Sequence, residues 1–292
     1  MKCLHVDVPY NDWTLIPLCC IHYPIGEKDL LKRWVDRLRS DPHARGVLLG
    51  DSMDEYRTHY RSHIRAYTDD ENSAEAQFSY HKEQIRELAK ILKPVAKQIL
   101  GVLRGNHYVE FRDGTNSEQY LCQLLGLNYL GVMSFLRISM STKRTSRPKS
   151  DKKTLKVLLH HTGGSQGGRT TSGDVAALER LEAGFEADIY IAGHTHRRFG
   201  WPNSAMGVSD LGEPQVVEKT RIFIRSGGLL KGFRDDNPNA HQNHIPTYAE
   251  CKCLRPTDLG WIELGIHVES PRVGGSRPHK IVYDIRNKTS FV

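Results

Sequence analysis

Short apolar runs in this chain end, one after another, on residues that can hold a divalent metal ion. PLCCIHYPIG delivers His22, GVLLGD delivers Asp51, QILGVLRGNH delivers Asn106 and His107, LKVLLHH delivers His160, and ADIYIAGHTH delivers His194 and His196. Imidazole nitrogens mixed with amide and carboxylate oxygens suit manganese, iron or zinc better than calcium, which prefers oxygen alone. Glycine precedes three of these groups, in GD, GNH and GHTH, where a backbone without a Cβ can turn sharply beside an ion. One such residue alone would read as a turn or cap. Five groups in one order read as a single centre if the strand ends meet, because ligands gather beyond the carboxyl ends of strands in α/β sheets.

The elements needed to bring them together are legible. EKDLLKRWVDRLRSD places Leu30, Leu31, Trp34, Val35 and Leu38 on one helical face. GVLLGD is too short for a helix and reads as a buried strand. A longer helix is predicted between Ala74 and Lys93, stopped by Pro94, and QILGVLRGNH returns to strand. NSEQYLCQLLG opens on an Asn or Ser cap and forms a further short helix. The segments LNYLG, VMSFLRISM, LKVLLHH and ADIYIAGHTH follow as strands, with the helical GDVAALERLEAG before the last of them. From about residue 201 the pattern changes to strands without helices, in TRIFIRSGG, GWIELGIHV and KIVYDIR. The alternation predicts a layered α/β protein. With no linker-like composition, residues 1–292 are expected to form a single domain, with a basic loop at about 141–154 and the C-terminal strands added to the same core.

Composition sets the class. The chain has 292 residues, 38% hydrophobic and 26% charged, which suits a globular protein with a substantial core. It has no long apolar segment, and MKCLHVDVPYND carries acids and a proline where a secretory signal would be apolar, so no membrane association and a cytoplasmic location are expected. Six cysteines without CxxC pairs fit a reducing compartment. A formal net charge of +7 favours phosphate-rich partners, nucleic acid included.

In their order and spacing the motifs resemble the calcineurin-like metallophosphoesterases, whose pattern runs D-x-H, GD, GNH, a histidine after an apolar strand, then GHxH. Here the corresponding stretches are C-x-H at 20 to 22, GD at 50 to 51, GNH at 105 to 107, HHTGG from 160 and GHTH from 193, a likeness covering about residues 15 to 200. SGGLLKGF and PTDLG in the last third are similar to C-terminal strands of stand-alone bacterial and viral members. The resemblance implies an α-β-β-α sandwich with two central mixed sheets and two divalent ions bridged by Asp51. It implies His22 and His196 on the first ion, and Asn106, His160 and His194 on the second, with manganese expected and zinc or iron as alternatives. His160 is preferred to His161 because it ends the apolar strand. His107 would act as proton donor to phosphate or leaving group. The implied activity is metal-dependent hydrolysis of phosphodiesters, of nuclease or nucleotide phosphodiesterase type, by a metal-activated hydroxide. The alternative is a catalytically weakened binding or assembly component.

Two positions depart from the pattern. Cys20 stands where the family has a carboxylate for its first ion. It is a ligand itself, or it leaves that site weakened, or Glu27 or Asp29 replaces the carboxylate from the next loop. Tyr108 follows GNH where an acid usually orients the histidine. Around the site, GGSQGGRTTSGD with Arg169, and Arg197 after GHTH, are candidate phosphate contacts. RTSRPKSDKK could follow a nucleic-acid backbone but reads first as a solvated loop. His241, His244, Cys251 and Cys253 lack zinc-knuckle spacing and read as structural.

Overall fold

Period-two alternation of apolar residues decides the layers. In the strand Lys152–His160 (β7), Leu155, Val157 and Leu159 share one core with Leu15, Val47 and Leu103 of other strands, while Leu158 belongs to a second core with Leu178, Tyr190 and Phe223. One face of β7 therefore looks into a sheet-on-sheet interior and the other toward a helix. The computed structural model describes residues 1–9, 12–54, 71–141, 152–163, 170–208, 213–233, 248–269 and 280–288. Arg169, His241, His244 and the basic run as far as residue 151 lie outside them, and Lys152 and Lys153 already belong to β7.

Twelve described strands form two six-stranded mixed sheets. The first contains Lys2–Val8 (β1), Met133–Ser141 (β6), β7, Ile189–Ala192 (β8), Val216–Ser226 (β10) and Arg198–Val208 (β9), in that spatial order. The second runs Lys280–Lys288 (β12), Trp261–Glu269 (β11), Asp12–Leu18 (β2), Ala44–Leu48 (β3), Ile99–Leu103 (β4) and Tyr129–Gly131 (β5). β2, β3 and β4 are parallel neighbours, as are β7, β8 and β10. Their carboxyl ends therefore leave each sheet on one side.

Helices cover both outer faces. Lys28–Arg39 (α1) buries Leu30, Leu31, Trp34, Val35 and Leu38, the stripe expected from its spacing. With Glu71–Leu92 (α2) and Ser117–Leu125 (α3) it packs on Ile16, Leu18, Leu48 and Val102 of the second sheet. Asn116 caps α3 in a reciprocal capping box with Gln119, and Gly126 ends it at φ +66°. Thr171–Glu179 (α4) covers the outer face of the first sheet through Leu178. The fold is the α-β-β-α sandwich with two central mixed sheets that the resemblance implied. Among the described residues no helix is long and apolar enough to cross a membrane.

Two strands escaped the sequence reading. β1 has an alternating pattern but an exposed first half, and β9, RFGWPNSAMGV, carries a proline and two glycines that argue against a strand. β9 survives as the sheet's edge, paired only with β10. The C-terminal strands are shared out: β9 and β10 join the first sheet, β11 and β12 the second.

Candidate metal centre

Loops leaving β2, β3 and β4 meet those leaving β7 and β8 at one edge of the sandwich. Cys20, His22, Asp51, His194 and His196 all have φ between +49° and +67°. Left-handed backbone is uncommon for residues with a Cβ, and strain of this kind collects at functional sites. Loop contact is close: Gly50 sits at φ +94°, and a Cβ on Gly105 would collide with the Asp51 carboxylate. The loops after β2 and β3 run side by side, with Tyr23 N–H donating to Ser52 O at 3.0 Å and Asp54 N–H to Tyr23 O at 2.9 Å.

That pairing fixes His22. Its Nδ1 lies 2.9 Å from Asp54 Oδ1, and since the carboxylate only accepts, Nδ1 carries the hydrogen. The lone pair of Nε2 then points inward, buried and without a hydrogen-bond partner, 3.9 Å from Asp51 Oδ2. A carboxylate behind a histidine whose other nitrogen faces a cluster is a common support for a metal ligand. His196, its ring centroid 5.2 Å from that of His22, has a buried Nδ1 that also lacks a hydrogen-bond partner.

On the other side of Asp51 the arrangement repeats. His161 Nδ1 donates to Leu49 O at 2.6 Å, and its Nε2 lies 3.0 Å from Asp51 Oδ2 and 2.9 Å from Asn106 Oδ1. His194 stands edge-on to His161, centroids 5.2 Å apart. As a protonated imidazole His161 donates from Nε2 to the Asp51 and Asn106 oxygens; once that proton is given up, the same three atoms converge as donors for a cation. Burial opposes a charge on Asp51, but His161, His22 and His107 outweigh it and hold the carboxyl well below the usual range. Burial likewise disfavours a charged His161, yet Asp51 and Cys19 raise it well above the ordinary imidazole value. Burial first, then neighbouring imidazoles, push His194 down to about 4 and His196 to about 3, so both are neutral donors at neutral pH.

His160 is the residue the structure sets apart. Its Nδ1 accepts from Gly163 N–H at 2.8 Å and pins the turn after β7; like His194, it is in none of the three-residue donor groups among the described residues. Strand alternation accounts for the different placements: His160 follows Leu158 on the helix-facing side, whereas His161 continues the interior row of Leu155, Val157 and Leu159. His107 is in the cluster. Its backbone N–H donates to Asp51 Oδ1 at 2.8 Å, its ring is 4.8 Å from that of His22, and its Nδ1 is 3.8 Å from Asp54 Oδ1. Tyr108 instead lies beneath the Arg104 guanidinium at 4.4 Å, so the acid that faces His107 is Asp54. Sequence reasoning missed Asp54, three residues beyond Asp51 in GDSMD.

Two further residues bear on the loops. Arg225, fully buried at the end of β10, donates from Nη1 to Thr162 O at 2.8 Å and Gly193 O at 3.1 Å, tying the loops of His161 and His194 together. Arg197 is held at the rim, donating to Thr171 Oγ1 at 2.9 Å, with Asp174 at 3.9 Å and Asp258 at 4.0 Å.

The chain resembles calcineurin-like phosphoesterases. Similar solved structures include a predicted phosphoesterase from Streptococcus pneumoniae TIGR4, 14% identical over 87% of this chain and 82% of that one, with a TM-score of 0.35. A calcineurin-like phosphoesterase from Bacillus subtilis is 10% identical over 95% and 91%, at 0.35. Vacuolar protein sorting 29 from Cryptosporidium parvum is 11% identical over 95% and 99%, at 0.38. At these identities and scores they carry no functional argument. No family model and no curated protein matches the chain.

Proposed function

We propose that this protein is a divalent-metal-dependent phosphoesterase that hydrolyses phosphodiesters, as a nuclease or nucleotide phosphodiesterase. The observation that supports the reading is that Asp51 Oδ2 lies 3.9 Å from His22 Nε2 and 3.0 Å from His161 Nε2, so that one carboxylate can serve an ion on either side. The residues fit such a centre: His22 and His196 offer buried nitrogens without hydrogen-bond partners, and Asn106, His161 and His194 supply mixed amide and imidazole donors. When bound, divalent ions supply a hydroxide nucleophile at neutral pH and neutralise charge on the phosphate oxygens.

The chain's own residues divide the remaining work. Asp54 fixes the His22 tautomer and lies 3.8 Å from Nδ1 of His107, the imidazole placed to donate to the leaving oxygen. Arg225 keeps two ligand loops in register. Arg197 adds positive charge at the rim, and the net charge of +7 supports a nucleic-acid or nucleotide substrate over a phosphoprotein.

The test is turnover of an artificial phosphodiester, with manganese and zinc supplied, by wild type and Asp51→Asn. The variant is expected to lose on the order of a hundredfold or more, because the shared ligand loses its charge. Equal rates would overturn the proposal. One observation favours a second reading, a binding or assembly component with weakened catalysis: a cysteine occupies the place of a carboxylate at position 20. Retention of no metal by wild type after manganese, zinc and iron supplementation would favour that reading.

A further inference from the structure

The side chains around the first half-site are not equally placed to complete it. Asp29 is directed outward, its side chain 85% exposed and 3.6 Å from Lys32 Nζ. Glu27 sits at the N-terminal boundary of α1 and enters none of the donor groups among the described residues. Cys20 is fully buried and belongs to two of those groups, one with His22 and His196 and one with Asp51 and His161, ligand atoms within 4.8 Å of one another in each. Its backbone is held at φ +52°, with Cys20 N–H donating to Gly50 O at 3.1 Å and Cys20 O accepting from Leu229 N–H at 3.0 Å. The space beside it is kept open by Gly228, where a Cβ would come within 3.0 Å of Cys20 Cβ and 3.3 Å of His196 Nδ1. The adjacent Cys19 enters no such group. Its Sγ lies 3.6 Å from Leu49 O, 3.8 Å from Gly50 O and 3.6 Å from His161 Nδ1.

We propose that Cys20 Sγ is a thiolate ligand of the first ion, completing a set with His22, His196 and Asp51 that selects zinc or iron over manganese at that half-site. The inference rests on the metal-centre reading above and extends it. The independent observation is that His22 and His196, which share a donor group with this sulfur, each keep a buried nitrogen without a hydrogen-bond partner, Nε2 and Nδ1 respectively, while the sulfur's own neighbour is Cys19 Sγ at 3.2 Å. Four donors of sulfur, nitrogen and oxygen make a small, soft set suited to tetrahedral zinc or iron, whereas manganese favours oxygen-rich sites. As the sulfur–metal bond forms, the thiol proton passes to water, so binding releases protons.

Cobalt(II) provides the test, because a thiolate bound to it absorbs strongly in the near ultraviolet and imidazole and carboxylate do not. Wild-type protein loaded with cobalt is expected to show the band. Cys20→Ser and Cys20→Asp are expected to lose it while still binding cobalt by equilibrium dialysis, and Cys19→Ser to keep it. Cys20→Asp should also lower the preference for zinc over manganese by about tenfold or more. Cobalt bound by wild type without the band, or a band that survives in Cys20→Asp, would overturn the assignment while leaving the metal centre intact. Failure of wild type to bind cobalt would overturn the metal-centre reading itself.

Discussion

At the scale of single residues the centre turns on which way a side chain faces. His160 and His161 are adjacent and chemically identical, yet strand alternation sends one to the helix layer and the other into the interior beside Asp51. His161→Ala is expected to lower phosphodiester turnover on the order of a hundredfold, whereas His160→Ala leaves it within a few-fold of wild type. Parallel steady-state kinetics and metal content check this, and the reverse pattern would restore His160 as ligand. The motif residues were legible because glycine and histidine or acid recur at strand ends. The choice within HH depended on phase: Leu155, Val157 and Leu159 were visible, but which row faced the second sheet was not. Asp54 was hidden for another reason. It becomes a neighbour of His22, 32 residues away in sequence, only because the two loops zip together at Tyr23 and Ser52.

At the scale of elements, α3 carries a buried acid just behind the GNH loop. Glu118 is fully buried, and its Oε2 accepts from Ser117 Oγ at 2.8 Å while Oε1 has no hydrogen-bond partner. Burial pushes its carboxyl up from 4.5 to about 7. The folded chain therefore keeps this proton up to about pH 7, whereas the unfolded chain releases it near 4.5, so stability falls as pH rises through that window. Glu118→Gln, which resembles the protonated acid, is expected to remove the dependence. Its stability relative to wild type should grow by on the order of 3 kcal/mol between pH 4.5 and pH 8. Denaturation midpoints at the two values measure it, and a constant difference would contradict the buried acid's role. Most elements were legible because their periods are clear: the five apolar residues of α1 are the five it buries. β9 was not, since its proline and glycines speak against a strand, and what holds it is pairing along the whole of β10 together with the stacking of Trp201 on Phe223.

At the scale of the molecule, two sheets built from segments far apart in sequence place their strand ends at one edge. β11 and β12 come from the last part of the chain, yet β11 pairs with β2, whose exit loop carries Cys20 and His22. The layered architecture followed from alternating helices and strands. The division of the C-terminal strands between the sheets did not, because nothing local in TRIFIRSGG or GWIELGIHV records which edge receives it. The central claim is that this edge is a two-ion centre with Asp51 shared between the halves. Its most direct test is anomalous diffraction from crystals supplied with manganese and zinc, with phosphate present. The account predicts two peaks flanking the Asp51 carboxylate, one against Cys20, His22 and His196 and the other against Asn106, His161 and His194. Peaks absent from that edge, or a second ion held by His160 in place of His161, would contradict it.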